Sequence, residues 1–300
     1  MSIGSVAIIG LGLLGGSIGL AVREFAPDVS TKGYDADPEV REVARERGLA
    51  DTICDSAAEA VKEADLVILC VPVGAMKQAA AEFANALPDG AIISDVGSSK
   101  QSVVDDLSEA LPGHTIIPAH PVAGTEQSGP EAGFASLFQG RWCILTPGDG
   151  VDQTKLAALS EFWTKLGSRI EIMDPQHHDL VLAVTSHIPH LIAFTIVGTA
   201  SDLEDVTRGE VIKYSAGGFR DFTRIAASDP VMWRDVFLQN KGAVLEMLGR
   251  FTEDLTALQR AIRSGDGDTL FELFDRTRAI RRRIIEEGQD DESPDFGRDH

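Results

Sequence analysis

The chain has 300 residues, 43% of them hydrophobic, which is enough for one large core or two modest ones, and the length favours two. A formal net charge of −20 excludes partners that need a basic surface, nucleic acid and anionic membranes among them, so an anionic substrate must find a local cluster of cations. Cys54, Cys70 and Cys143 lack C-x-x-C spacing and point to buried thiols in a reducing compartment, the cytoplasm.

Residues 6–21, VAIIGLGLLGGSIGLA, read as strand, tight turn and helix. Gly10, Gly12 and Gly15 stand at G-x-G-x-x-G spacing, and Asp35 closes the next short run. Gly10 permits the sharp turn, Gly12 leaves room for a pyrophosphate, and Gly15 lets the helix pack close to the strand. The helix N-terminus, at Leu13 and Leu14, offers amide donors to the phosphates. A carboxylate at Asp35 accepts from a ribose 2′-hydroxyl and repels a 2′-phosphate, which favours NAD over NADP. Residues 3–22 are also apolar enough to imitate a signal peptide or a membrane span, but no Lys or Arg precedes them and six glycines interrupt them.

Residues 38–47 predict a helix stopped by Gly48, residues 64–71 a buried strand, residues 73–87 a helix, and residues 91–96 a strand that runs out through Asp95. This βαβ order builds an N-terminal doubly wound, Rossmann-type parallel sheet in an α/β domain. Its strand tips carry Val71-Pro72, the segment from Asp95 through Ser98 to Lys100, and Ala119-His120-Pro121, and they face the cofactor crevice. A sixth strand at residues 114–119 and a seventh at residues 142–146 complete this domain. Its boundary is set at residue 174, with an alternative near 150, because a helix (152–166) and a short strand (169–173) can still pack onto the sheet. Residues 175–288 carry helical periodicity only and form an all-helical C-terminal domain. Within it, the apolar segments 181–199 and 231–248 suggest a homodimer interface. Residues 180–200 come closest to a second membrane-length stretch but carry His187, Pro189 and His190. The acidic end, residues 289–300, is expected to be disordered.

His120 follows a predicted strand at the crevice edge, where a histidine either takes a hydroxyl proton near neutral pH or merely holds a turn. His187 and His190 share a helical face, as a metal pair would, but His177, His178 and Asp179 lie about two turns away and supply no third ligand at useful spacing. Pro189 should kink that helix and free carbonyls. Gly217 and Gly218 either stop a helix or let backbone approach a substrate. Trp233 reads equally as core, and Glu126 as a partner of site cations or as an exposed turn carboxylate.

Five motifs stand in order: GLGLLGGS from Gly10, DVGS from Asp95, HPVAG from His120, SHIPH from Ser186 and GFRDFTRIA from Gly218. With Trp233 in PVMWRD, they make the chain resemble the prephenate/arogenate dehydrogenases, also called cyclohexadienyl dehydrogenases, over residues 6–248. The resemblance implies that His120 is the base that takes the substrate's ring-hydroxyl proton as hydride leaves for NAD. It implies that Ser98 contacts both that histidine and the hydroxyl, and that Arg224 grips a substrate carboxylate. His187, His190, Gly217, Trp233 and Glu126 are the remaining substrate-site candidates; Gly10, Gly12, Leu13, Leu14, Gly15, Asp35, Val71, Pro72 and Ser98 are the cofactor candidates. The implied reaction is oxidative decarboxylation of a cyclohexadienyl acid, prephenate or arogenate, needing no metal. Fused mutase or regulatory domains, found in some relatives, are not expected. The rival readings are a β-hydroxyacid dehydrogenase or imine reductase, which would typically need a lysine base or another second-domain signature, and a non-catalytic NAD-binding sensor.

Overall fold

A computed structural model of the chain describes residues 2–125, 127–202, 213–214 and 217–286, so Glu126 and the acidic end lie outside the described residues. The first apolar run forms β1 (Ser5–Ile9), and the glycine turn feeds α1 (Leu13–Phe25). There follow β2 (Ser30–Tyr34), α2 (Pro38–Arg47), β3 (Thr52–Ile53), α3 (Ala57–Val61), β4 (Leu66–Leu69) and α4 (Met76–Phe83). Next come β5 (Ile92–Asp95), α5 (Gln101–Ala110) and β6 (Thr115–Ile116). These strands pair in parallel in the order β3-β2-β1-β4-β5-β6, a doubly wound sheet whose strand order reverses between β1 and β4.

The central strands are apolar throughout because both faces are covered. Ile8, Leu66, Ile68 and Ile92 pack with Ile18, Ala21 and Val22 of α1. Their neighbours Ala7, Ile9, Val67, Leu69 and Ile93 point the other way, into a core built with α3, α4 and α5. The expected α2 has local causes at both ends: Asp37 accepts from the Glu39 amide, and Gly48 adopts the left-handed conformation, φ 61°. The helix expected over residues 73–87 is shorter, with α4 flanked by 3-10 turns at Val73–Ala75 and Ala84–Ala86.

The strand expected over residues 114–119 is two strands, divided at Pro118, which has no N–H to extend a ladder. The second piece, β7 (Ala119–Pro121), pairs antiparallel with β8 (Trp142–Leu145), and β8 pairs in parallel with β9 (Arg169–Ile172) beyond α6 (Gln153–Lys165). The predicted seventh strand therefore belongs to a separate three-stranded sheet, not to the main one. His120 lies within β7, not after a strand.

Position 174 falls between β9 and α7 (Pro175–Leu182), which Asp174 caps. A π turn (Ala183–His187) leads into α8 (Ile188–Asp202). Pro189 accounts for it: the ring crowds the carbonyl four residues back and offers no N–H, so the preceding turn widens. Contrary to expectation, Pro175–Asp202, 28 residues with mean hydropathy 1.9, is by length and composition apolar enough to cross a membrane. That average hides the buried His178, Asp179 and His187. Gly217 opens a helix, α9 (Gly217–Thr223), which a 3-10 turn (Arg224–Ala227) continues. Asp229 caps α10 (Pro230–Gln239), followed by α11 (Lys241–Ser264) and α12 (Gly267–Glu286). The chain divides into two compact units, Met1–Val244 and Leu245–His300. The second exposes Leu245, Leu255, Ile262, Phe271 and Phe274.

Candidate active site

The glycine turn leads from β1 into α1 and packs against the tip of β4. Gly10 has φ 100°, and a Cβ there would meet the Cys70 carbonyl oxygen at 2.6 Å. A Cβ on Gly15 would stand 1.9 Å from the Gly10 oxygen, so only glycine lets α1 start this close to β1. Gly12 differs: nothing lies within 4 Å of the position a Cβ would take, and no side chain caps the first turn of α1. An open cradle facing uncapped amides fits a pyrophosphate. The Asp35 carboxylate accepts from the Leu11 amide (2.8 Å) and the Asp37 amide (3.0 Å), which places it beside the cradle. Arg41 Nη1 donates to the Asp35 carbonyl at 2.7 Å, a neighbouring cation that sequence spacing did not single out. Val71 closes on Gly10, and Pro72 opens the 3-10 turn after β4.

Asp95 ends β5 fully buried and organises the next part of the crevice. It accepts from Lys100 Nζ, the Gly97 amide (2.7 Å) and the Ala119 amide (3.2 Å). Lys100 Nζ also donates to the Ala119 carbonyl at 2.7 Å. Burial pushes the Asp95 carboxyl up and the Lys100 ammonium down, and their contact opposes both shifts. The pair clamps the tip of β5 to β7 one residue before His120.

His120 is 7% exposed, and burial holds its imidazole well below the usual histidine range, with His178, Lys100 and His187 adding to the effect. It is therefore neutral near pH 7, the form in which an imidazole accepts a proton. Its Nδ1 lies 2.8 Å from His178 Nε2, and His178 Nδ1 lies 2.9 Å from Asp179 Oδ1. Asp179 Oδ1 also accepts from the Lys100 amide (2.7 Å), and Oδ2 from the Gln101 amide (3.0 Å) at the start of α5.

Asn240, at the end of α10, donates from Nδ2 to the Asp179 carbonyl (2.8 Å) and faces His187 Nδ1 at 3.1 Å. An amide nitrogen can only donate, so His187 Nδ1 accepts and Nε2 carries the proton. That Nε2 is buried without a hydrogen-bond partner among the described residues. Burial pushes the imidazole down to about 4, against the opposing pull of Asp179 and of the Ser98 backbone. His190 Nδ1 donates to the Ser186 carbonyl (2.9 Å), one of the oxygens the π turn releases. Trp233 stacks on His190 with ring centroids 3.7 Å apart and planes 25° from parallel. Burial lowers the pKa of His190, and the nearby Arg224 lowers it further, so Arg224 reaches the same wall from the 3-10 turn.

The structure thus gathers His120, His187, His190, Trp233 and Arg224 around the strand tips. Ser98 lies on the loop after β5, and among the described residues no hydrogen bond joins its hydroxyl to His120. Gly217 sits at the start of α9, and Glu126 lies outside the described residues. Lys100, His178, Asp179 and Asn240 were missed as site residues. Only the local Asp-x₄-Lys spacing at Asp95 and the adjacent His178-Asp179 pair could have pointed to them.

Residues 18–172 match the family described as prephenate dehydrogenase, nucleotide-binding domain, and residues 174–276 match prephenate dehydrogenase, dimerization domain. A cyclohexadienyl dehydrogenase of Zymomonas mobilis is 48% identical over 92% of this chain and 94% of its own length. A prephenate dehydrogenase of Bacillus subtilis is 34% identical over 92% of this chain and 75% of its own. Among solved structures, prephenate dehydrogenase from Aquifex aeolicus, in complex with hydroxyphenyl propionate and NAD+, superposes with a TM-score of 0.87 at 34% identity, covering 95% of this chain and 99% of that one. The glycine cradle, the buried histidine and the helical wall thus stand in a chain that belongs to the prephenate dehydrogenase family.

Proposed function

We propose that this enzyme carries out the NAD-dependent oxidative decarboxylation of prephenate to 4-hydroxyphenylpyruvate, of arogenate to tyrosine, or of both. The observation that carries the reading is His120: a neutral imidazole held within β7 beside Lys100, His178 and His187, in the same site as the wall that brings Arg224 to His190. Gly10, Gly12, Leu13, Leu14, Gly15, Val71, Pro72 and Ser98 would hold the dinucleotide, with Asp35 on the ribose, where a 2′-phosphate would meet its charge. Bound there, NAD supplies the hydride acceptor.

His120 takes the proton of the ring hydroxyl at Nε2 while Ser98 orients the same hydroxyl. Arg224 pairs with a substrate carboxylate, and its planar fork suits that anion better than a lysine would. His187 lines the same wall edge-on to Trp233, and Trp233 holds His190 flat against it. Loss of the ring carboxylate as CO₂ completes an aromatic ring, so the residues must bind, orient and remove one proton, and no metal is required.

We assign exposed apolar surface in each compact unit to contact with a second copy of the chain, in keeping with the dimerization-domain match: Val184, Ile196 and Val197 in the first, Phe271 and Phe274 in the second. The free Cys54, Cys70 and Cys143 suit the cytoplasm. The test follows NADH absorbance with prephenate, arogenate and simple 3-hydroxyacids supplied in turn. Turnover of either cyclohexadiene is expected; turnover of hydroxyacids alone, or NAD binding without turnover, would replace this reading with one of its rivals.

A further inference from the structure

We infer that His178 and Asp179 are positioning residues that fix the tautomer of His120, so that Nε2 is left as the bare nitrogen meeting the substrate hydroxyl. The inference rests on the reading of His120 as the base. Its starting point is Asp179, only 5% exposed, whose two oxygens accept the Lys100 and Gln101 amides. A carboxylate so held has no proton to give, so the hydrogen on the 2.9 Å contact comes from His178 Nδ1. The His178 ring is fully buried and neutral, which leaves its Nε2 with a lone pair. That lone pair faces His120 Nδ1 at 2.8 Å, and one hydrogen must lie between the two nitrogens, so it belongs to His120 Nδ1. The neutral ring then carries no hydrogen on Nε2, which has no hydrogen-bond partner among the described residues.

The proton balance closes. In the reaction the substrate O–H bond breaks and its proton goes to His120 Nε2, while the hydride leaves the same carbon for NAD. The resulting imidazolium donates through Nδ1 to His178, which donates in turn to the Asp179 carboxylate, so the transient charge is met without moving a heavy atom. The charged and titratable groups facing His120 are His178 from α7, Lys100 from the start of α5, His187 from the π turn, Asp95 on β5 through Lys100, and Cys143 on β8, whose thiol meets the His120 backbone.

The experiment is nitrogen NMR on full-length protein with ring-labelled histidine, the His120 signal being identified by its loss in His120→Asn, combined with kinetics on His178→Leu and His178→Gln. Wild type should show His120 protonated at Nδ1. In His178→Leu the ring should revert to the Nε2–H form, and kcat should fall by about 10²-fold with KM and NAD affinity little changed. Gln, whose amide oxygen can accept from Nδ1–H, should recover about tenfold of that loss. An Nε2–H signal in wild type, unchanged kcat in His178→Leu, or equal losses in kcat, KM and NAD affinity would overturn the assignment. If neither variant folds, the wild-type spectrum alone decides. Wild-type turnover of neither cyclohexadiene, with Nδ1–H intact, would instead remove the substrate reading and leave the tautomer assignment standing.

Discussion

On the proposed reading Arg224 pairs with a substrate carboxylate and Asp35 repels a 2′-phosphate, and each role can be tested by removing the residue's charge. Arg224→Ala should raise KM for the cyclohexadienyl acid by about 10- to 100-fold with a smaller effect on kcat, the scale of a lost charge-assisted hydrogen bond. An unchanged KM in steady-state kinetics would place the carboxylate elsewhere. At Asp35, kcat/KM should favour NAD over NADP by about tenfold or more, and Asp35→Ser should narrow that ratio, because the repulsion acts on the 2′-phosphate alone. Equal use of both cofactors by wild type would shift attention to the cation of Arg41, held at the Asp35 carbonyl. The close packing at Gly10 and Gly15 and the placement of Asp35 beside the turn were legible because they depend on spacing within one short strand–helix–strand unit. His178 was not: its partner lies 58 residues away, and the exposed His177 beside it looks the same in sequence.

Among the elements, β5, α5 and β7 are locked together by Lys100. Its fully buried ammonium is met by a fully buried carboxylate and a carbonyl oxygen, so Lys100→Met leaves Asp95 charged and uncompensated. The expected cost is about 3–5 kcal/mol of stability in urea unfolding. A loss below about 1 kcal/mol would show that Asp95 takes up a proton instead. The helices and buried strands were legible from periodicity and caps, as at Asp37 and Gly48. The second sheet was not, because periodicity along one strand does not say which strand it pairs with. Pro118 marks the division between β6 and β7, yet a proline within an apolar run reads equally as an edge or a break. Pro189 announced a disturbed helix, but the form it takes, a π turn that gives Ser186 a free carbonyl for His190, depends on tertiary packing.

Across the whole molecule, four imidazoles shielded from water couple stability to pH. Burial lowers His120, His178, His187 and His190 below the ordinary 6.5, His187 to about 4. The unfolded chain binds those protons first, so the stability they contribute is fully present above about pH 6.5 and is lost as the pH falls toward the folded values. The melting temperature should therefore drop between about pH 6.5 and 5, a window in which most carboxylates at ordinary values stay ionised. A flat melting temperature there would mean that these rings are protonated in the fold. The same burial keeps His120 unprotonated at working pH, which joins the architecture to the chemistry. The measurement that tests this most directly compares wild type with His120→Asn under saturating NAD and prephenate or arogenate. The expected result is one NADH per CO₂ in wild type and a kcat lower by about 10²–10⁴ in the variant, with NAD affinity unchanged. A variant that turns over as fast as wild type would remove His120 from the role of base.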